Sequence, residues 1–171
     1  MTKTNILLPL VMLLLLSSFA NAEEKKEYHS PDGKHSAYVI PLPNAPYGRG
    51  ESKIVIKSKD GKTLCSESYG SEDGEHGFGV EKAAWTPDSN FLVYSMSSSG
   101  GHQAWHFPTY FISSSNCKAQ KLDDYVGPIT DPDFILKAPD IVKTTGREKA
   151  TLDEATFEVR LSEVIKQAKK K

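Results

Sequence analysis

The sequence predicts a mainly β fold: two blade-like four-stranded antiparallel sheets, in a partial-propeller or sandwich-like arrangement, capped by C-terminal strands and a short helix. Three observations predict it. Short apolar runs of strand length recur along the chain, bounded by turn residues. A turn-and-strand pattern occurs twice: Pro31-Asp32 returns as Pro87-Asp88, and Ala37-Tyr38 falls on Val93-Tyr94 at the same offset. Near the C-terminus, Phe157, Val159 and Leu161 alternate with polar residues, which is the period of a strand.

Residues 1–22 read as a cleaved secretory signal. Lys3 precedes the apolar run Ile6 to Leu16, and Ala20-Asn21-Ala22 places small residues around a cleavage position. That run is short of the roughly 20 residues a bilayer-spanning helix needs, so no membrane span is expected after cleavage. No cysteine follows it to carry a lipid. The expected location is periplasmic or secreted, with residues 23–171 forming a single β-rich domain. Lys+Arg number 21 against 22 Asp+Glu, and no basic stripe argues for nucleic acid. The basic tail from Lys166 to Lys171 is a solvated end.

Cys65 and Cys117 are the two cysteines. In an exported chain an even count predicts a disulfide. Closing a loop of about 50 residues stabilises by roughly 4 kcal/mol on chain-entropy grounds. Without a Cys-x-x-Cys, no thiol redox centre or zinc knuckle is expected.

Taken in order, Pro31-Asp32-Gly33-Lys34 is turn chemistry, since proline presets one dihedral and glycine tolerates positive φ. His35 to Ile40 is a strand, Pro41 to Gly50 a loop rich in proline and glycine, and Ile54-Val55-Ile56 a strand. Asp60-Gly61 centres a hairpin turn. Thr63 to Tyr69 returns as a strand with Cys65, and Gly70 to Gly79 is a glycine-rich flexible loop. The second unit follows: strand Val80 to Trp85, turn Thr86 to Ser89, strand Phe91 to Ser97, loop Ser98 to Ala104. Strand Trp105 to Ser113, turn Ser114 to Asn116 and return strand Cys117 to Leu122 complete it. The repeat units are thus about 25–69 and 80–122, each with its longer loop between strands two and three. A four-stranded sheet cannot bury both faces alone, and two units are too few for a ring. The remainder, 123–171, must therefore cap a sheet. Phe134-Ile135-Leu136 and Ile141-Val142 are short apolar runs there, and Gly146 to Asp153 reads as a charged loop. The alternation after Ala155 favours a strand followed by a short helix capped by Ser162; one long helix from Leu152 is the competing reading.

Tyr28-His29-Ser30-Pro31-Asp32-Gly33-Lys34 and the window Trp85 to Tyr94 resemble the Ser-Pro-Asp-Gly-Lys repeat of TolB-type periplasmic β-propellers. The resemblance implies blade-like sheets in an exported binding protein rather than an enzyme, here with two repeats only. The loop Ser99-Gly100-Gly101-His102, after a strand, is similar to the Ser-Gly loop by which periplasmic lysozyme inhibitors plug a glycosidase cleft.

Candidate binding residues lie on the two long loops: Tyr47 and Arg49 on the first; Ser99, Gly100, Gly101 and His102 on the second, with Trp105 at its exit. Glycines let backbone donors approach a partner, while Tyr, Arg and Trp are common binding hot spots. Equivalent loops should emerge at one end of the molecule. Trp105, His106, Phe107, Tyr110 and Phe111 concentrate aromatic mass suited to carbohydrate or protein contact, with Phe107 and Phe111 expected in the core. Ser99 with His102 could make a nucleophile and base, but no Gly-x-Ser-x-Gly elbow is present. His102, His106 and Asp123-Asp124 could ligate zinc, and the acidic loop Glu72, Asp73, Glu75 and His76 could hold calcium; packing and solvated roles are preferred for both. The expectation is an exported, non-enzymatic binding module of the bacterial cell envelope. Its partner is an envelope protein or glycan, and it carries no metal or cofactor. The alternatives are a periplasmic inhibitor of a lysozyme-like glycosidase and a Ser/His hydrolase.

Overall fold

The computed structural model describes residues 25–43, 50–100 and 105–168. The first sheet is a meander of β1 (Lys26–His29), β2 (His35–Pro41), β3 (Ser52–Ser58) and β4 (Thr63–Ser68). The second repeats it with β5 (Phe78–Trp85), β6 (Phe91–Ser98), β7 (Thr109–Ser113) and β8 (Ala119–Lys121). Helix α1 (Asp123–Val126) leads into a third sheet of β9 (Ile129–Lys137), β10 (Ile141–Arg147) and β11 (Glu154–Arg160), and α2 (Leu161–Ala168) follows. All strand pairings are antiparallel between sequence neighbours. Among the described residues no helix is long and apolar enough to cross a membrane.

The repeat is real down to individual hydrogen bonds. Ser30 Oγ donates to Asp32 Oδ1 at 2.7 Å, the Lys34 N–H donates to the same oxygen at 3.1 Å, and the His35 N–H donates to Ser30 Oγ at 2.9 Å. In the second unit Thr86 Oγ1, Asn90 N–H and Phe91 N–H repeat these bonds around Asp88 and Thr86 at 2.6, 3.1 and 3.1 Å. The position after the aspartate takes positive φ in both, 68° at Gly33 and 63° at Ser89. A short polar side chain that satisfies its own turn backbone is what makes Ser, Thr and Asp preferred there. The two turns also meet, because the Asp32 N–H donates to Ser89 Oγ at 3.0 Å.

Strand β6 is buried along almost its whole length. Leu92, Tyr94 and Met96 face the first sheet and join Ala37, Val39, Ile54, Ile56 and Trp85 in one core. Phe91 and Val93 face the other way and join Phe111, Phe134, Val142, Leu161 and Val164 in a second. The polar residues of that second face are paired: Ser95 Oγ donates to the Pro132 carbonyl at 2.6 Å, and Ser97 Oγ donates to Glu81. The second sheet is therefore the middle of three layers. In the first core Tyr94 stacks on Tyr110 with ring centroids 5.9 Å apart, and the Tyr94 and Tyr69 hydroxyls are hydrogen-bonded. Burial pushes the Tyr69 phenol up to about 12 and that of Tyr94 up as well.

Five sequence expectations need correction. The strand expected over Trp105 to Ser113 begins only at Thr109. Pro108 has no N–H to give a ladder, and the Phe107 N–H donates instead to the Ile129 carbonyl of the third sheet at 2.7 Å. Phe107 is accordingly half-buried, while Phe111 is in the core as expected. Cys117 lies not on a strand but in the turn before β8, at φ 57°. The segment from Gly146 starts inside β10 rather than in a loop, since Gly146 and Arg147 pair with Ala155 and Glu154. Strand followed by helix is observed at the C-terminus, but Ser162 is not the cap. Asp140, at the β9–β10 turn, accepts the Leu161 N–H on its carbonyl at 3.0 Å and the Ser162 N–H on Oδ2 at 2.8 Å.

Cys65 and Cys117 are disulfide-bonded, with Cα atoms 5.2 Å apart, tying β4 to the β7–β8 turn across the first core. The oxidised protein should titrate no free thiols until denatured under reducing conditions. A Cys65→Ser, Cys117→Ser double variant should lose about 3 to 4 kcal/mol in urea unfolding; an unchanged midpoint would mean that the bridge contributes nothing.

Candidate functional site

The two long loops start from neighbouring roots, and a buried carboxylate joins them. The first leaves β2 and returns to β3, its root closed by the Leu42 N–H donating to the Glu51 carbonyl at 2.8 Å. The side chain of Glu51 points inward, and the residue is 2 % exposed. Its Oε2 accepts the Ser71 N–H at 2.7 Å, and its Oε1 accepts the Ser71 hydroxyl at 2.5 Å. The Gly77 N–H and the Ser99 hydroxyl reach the same Oε1 at 2.7 and 2.9 Å. Burial alone would push the Glu51 carboxyl up, but the donors of Ser71, Ser99 and Gly77 together outweigh it and hold the group below its ordinary value. A carboxylate with this many donors is stable in a buried place.

Glycine at 77 is required for this approach: a Cβ there would lie 2.3 Å from both Glu51 Oε1 and the Tyr69 carbonyl oxygen. The loop expected to be flexible, Gly70 to Gly79, is thus pinned. It contains a third copy of the repeat turn, Ser71-Glu72-Asp73-Gly74-Glu75-His76. The Glu75 N–H donates to Asp73 Oδ1 at 3.0 Å, the His76 N–H to Ser71 Oγ at 3.1 Å, and Gly74 has φ 73°. Asp73 also pairs with the exposed His76 ring at 2.5 Å. Backbone donation from Glu75, followed by the bonds from His76 and Ser71, keeps the Asp73 carboxyl well below the usual range.

Of the sequence-derived candidates, Ser99 and Gly100 fall at the start of the second loop. Ser99 is fully buried, its N–H donating to the Gly77 carbonyl at 3.0 Å. Its hydroxyl belongs to the Glu51 cluster, so the side chain is a clamp and not a surface contact. Tyr47, Arg49, Gly101 and His102 lie outside the described residues. Trp105, at the other root of the loop, is 64 % exposed. Its ring rests against His106, with centroids 4.1 Å apart.

Beside Trp105 opens a hollow of about 280 Å³ lined by His106, Lys121, Asp123, Asp124, Gly127, Pro128 and Lys149. Asp123 is 7 % exposed. Its Oδ2 accepts the Thr109 N–H at 2.9 Å, and its Oδ1 has no partner among the described residues. Burial holds the His106 imidazole below its ordinary value, a shift that Asp123 opposes and Lys121 reinforces. Lys149 Nζ donates to the Asp124 carbonyl. Of the zinc-type set considered above, His106 and the Asp123-Asp124 pair share this hollow. Among the described residues no group of three or more His, Cys, Asp and Glu side chains is placed to hold a metal ion. Sequence reasoning noted Trp105 and His106 but missed Glu51, a lone acidic residue beside a glycine. It also did not place Trp105 and Asp123 in one hollow, which depends on the turn from β8 into α1.

No family model matches the chain, and no curated protein matches it. Among solved structures it is similar to a puromycin hydrolase variant in complex with PGG, at a TM-score of 0.46 and 14 % identity. The match covers 81 % of this chain and 20 % of that one, so the chain spans about a fifth of that protein's length.

Glu51→Gln should destabilise the protein by about 2 to 4 kcal/mol, because donors that shared an anion are left with a neutral amide. The sign with pH follows from the depressed carboxyl. Its stabilisation is fully present above the ordinary value of 4.5 and is lost as pH falls through the lower folded value. Unfolding followed from pH 7 to pH 3 should therefore show a smaller acid-induced loss in Glu51→Gln than in wild type; equal losses would remove Glu51 from the account.

Proposed function

We propose that the protein is an exported, non-enzymatic binding module of the bacterial cell envelope, which meets its partner at the end carrying the second long loop. The observation that carries this reading is Trp105, a large aromatic left 64 % exposed beside a hollow on a scaffold of packed sheets. Exposed aromatics at the mouth of a hollow are a feature of binding surfaces, where Trp and Tyr supply contact area at low entropic cost. The Glu51 clamp fixes the root at Ser99 to the packed sheets, and a contact surface held in place binds with less ordering cost. The TolB-type resemblance of the two turn windows supports the same class. Burial of the Ser99 hydroxyl against Glu51 weighs against a hydrolase using Ser99 as nucleophile.

The test is capture from a periplasmic extract on immobilised protein, with a lysozyme-inhibition assay run in parallel. Trp105→Ala should keep wild-type stability within about 0.5 kcal/mol, as surface sites do, yet recover the partner at least about tenfold less efficiently. Equal recovery by wild type and Trp105→Ala would move the contact surface elsewhere. Inhibition of lysozyme that Trp105→Ala abolishes would identify the partner as a glycosidase.

A further inference from the structure

We propose that the hollow beside Trp105 binds one ring of an uncharged saccharide. This rests on the binding reading above and adds the chemical class of the ligand. The indole supplies the first requirement, an open apolar face on which the C–H side of a pyranose can lie. The chain's other tryptophan makes the contrast. Trp85 is 7 % exposed, with its Nε1–H donating to the Tyr28 carbonyl at 2.9 Å, so it is core. Trp105 has no such place in the core, and its ring is tilted 42° against His106 at the edge of the hollow.

Hydrogen-bonding groups share the hollow with the indole. Asp123 Oδ1 is a buried carboxylate oxygen without a donor among the described residues, a condition that folded proteins rarely leave unexplained. Its sister oxygen is held by the Thr109 N–H at 2.9 Å, so the carboxylate is fixed in the wall of the hollow, where its negative charge faces hydroxyl donors. His106 can offer an imidazole nitrogen, and Lys121 and Lys149 line the same space as donors to hydroxyl or ring oxygens.

Charge decides between ligand classes. Lys121 and Lys149 are balanced by Asp123 and Asp124 around one small space. An anion would meet two carboxylates, and an organic cation would meet two ammonium groups with one indole for a cage. A neutral polyol meets donors and acceptors of both kinds and pays neither repulsion. Size limits the ligand as well. About 280 Å³ lies just under the roughly 300 to 1,000 Å³ of pockets for drug-sized ligands, so it suits one ring, with the rest of an oligomer continuing into solvent.

The experiment titrates the full exported chain with chitotriose, maltotriose and cellotriose, read by calorimetry and tryptophan emission. Expected is saturable binding of at least one trisaccharide, with an emission change that disappears in Trp105→Phe, where only buried Trp85 remains. Trp105→Ala should weaken binding at least about tenfold. Because the ligand carries no charge, raising the salt from about 0.05 to about 0.5 M should leave the affinity within about twofold. No saturable binding of any of the three up to roughly 10 mM, or equal binding by Trp105→Ala, overturns the proposal. So does Trp105-dependent capture of a protein with no saccharide bound, an outcome that leaves the binding reading intact while removing the sugar.

Discussion

Strand β6 has to be covered on both faces, and most of the architecture follows from that. Leu92, Tyr94 and Met96 on one side and Phe91 and Val93 on the other cannot all be buried by a single partner sheet. The first sheet covers one face; the third, with α2, covers the other. Each buried aliphatic side chain contributes on the order of 1.5 to 3 kcal/mol relative to exposure, so neither partner is dispensable. The C-terminal segment is a structural layer as necessary as the repeats. Pro132 marks the same logic: it sits on β9, an edge strand, where a missing N–H breaks no ladder, and its carbonyl takes the Ser95 hydroxyl from the middle sheet.

One turn design serves three purposes. Around Asp32 and Asp88 the Ser/Thr-x-Asp turn reverses the chain between the first and second strands of each repeat. The two copies touch through Ser89, so the turn also helps to align the sheets. Around Asp73 the same turn sits between the sheets, and there its serine hydroxyl is turned toward Glu51. A local motif that satisfies its own backbone can be placed wherever the chain must double back, and small changes at its first residue connect it to new partners.

The candidate site consists of the two roots of one loop, and they differ in kind. At Ser99 the root is buried, anionic and held by several hydrogen bonds, which suits a fixed anchor. At Trp105 it is open and aromatic, beside a buried carboxylate oxygen that has no donor among the described residues. Functional groups carried beside loops on a rigid, packed scaffold are a common arrangement.

The repeat, most of the strands of the two repeat units, the pairing of the cysteines and the final strand-to-helix change were legible in the sequence, because each depends on short-range rules: apolar alternation, turn residues, and an even count of cysteines. Trp105 was legible as an aromatic beside a glycine loop. The rest was decided only by the tertiary structure. Nothing near Glu51 in sequence says that Ser71, Gly77 and Ser99 will meet it. Nothing near Ser162 says that Asp140 will cap its helix. The end of β7 at Thr109 depended on a competing acceptor, the Ile129 carbonyl. Such bonds join residues distant in the chain, and their free energy exists only once the sheets have stacked. Local pattern specifies the strands; long-range pairing of polar groups determines which loops are held and which side chains are left facing solvent.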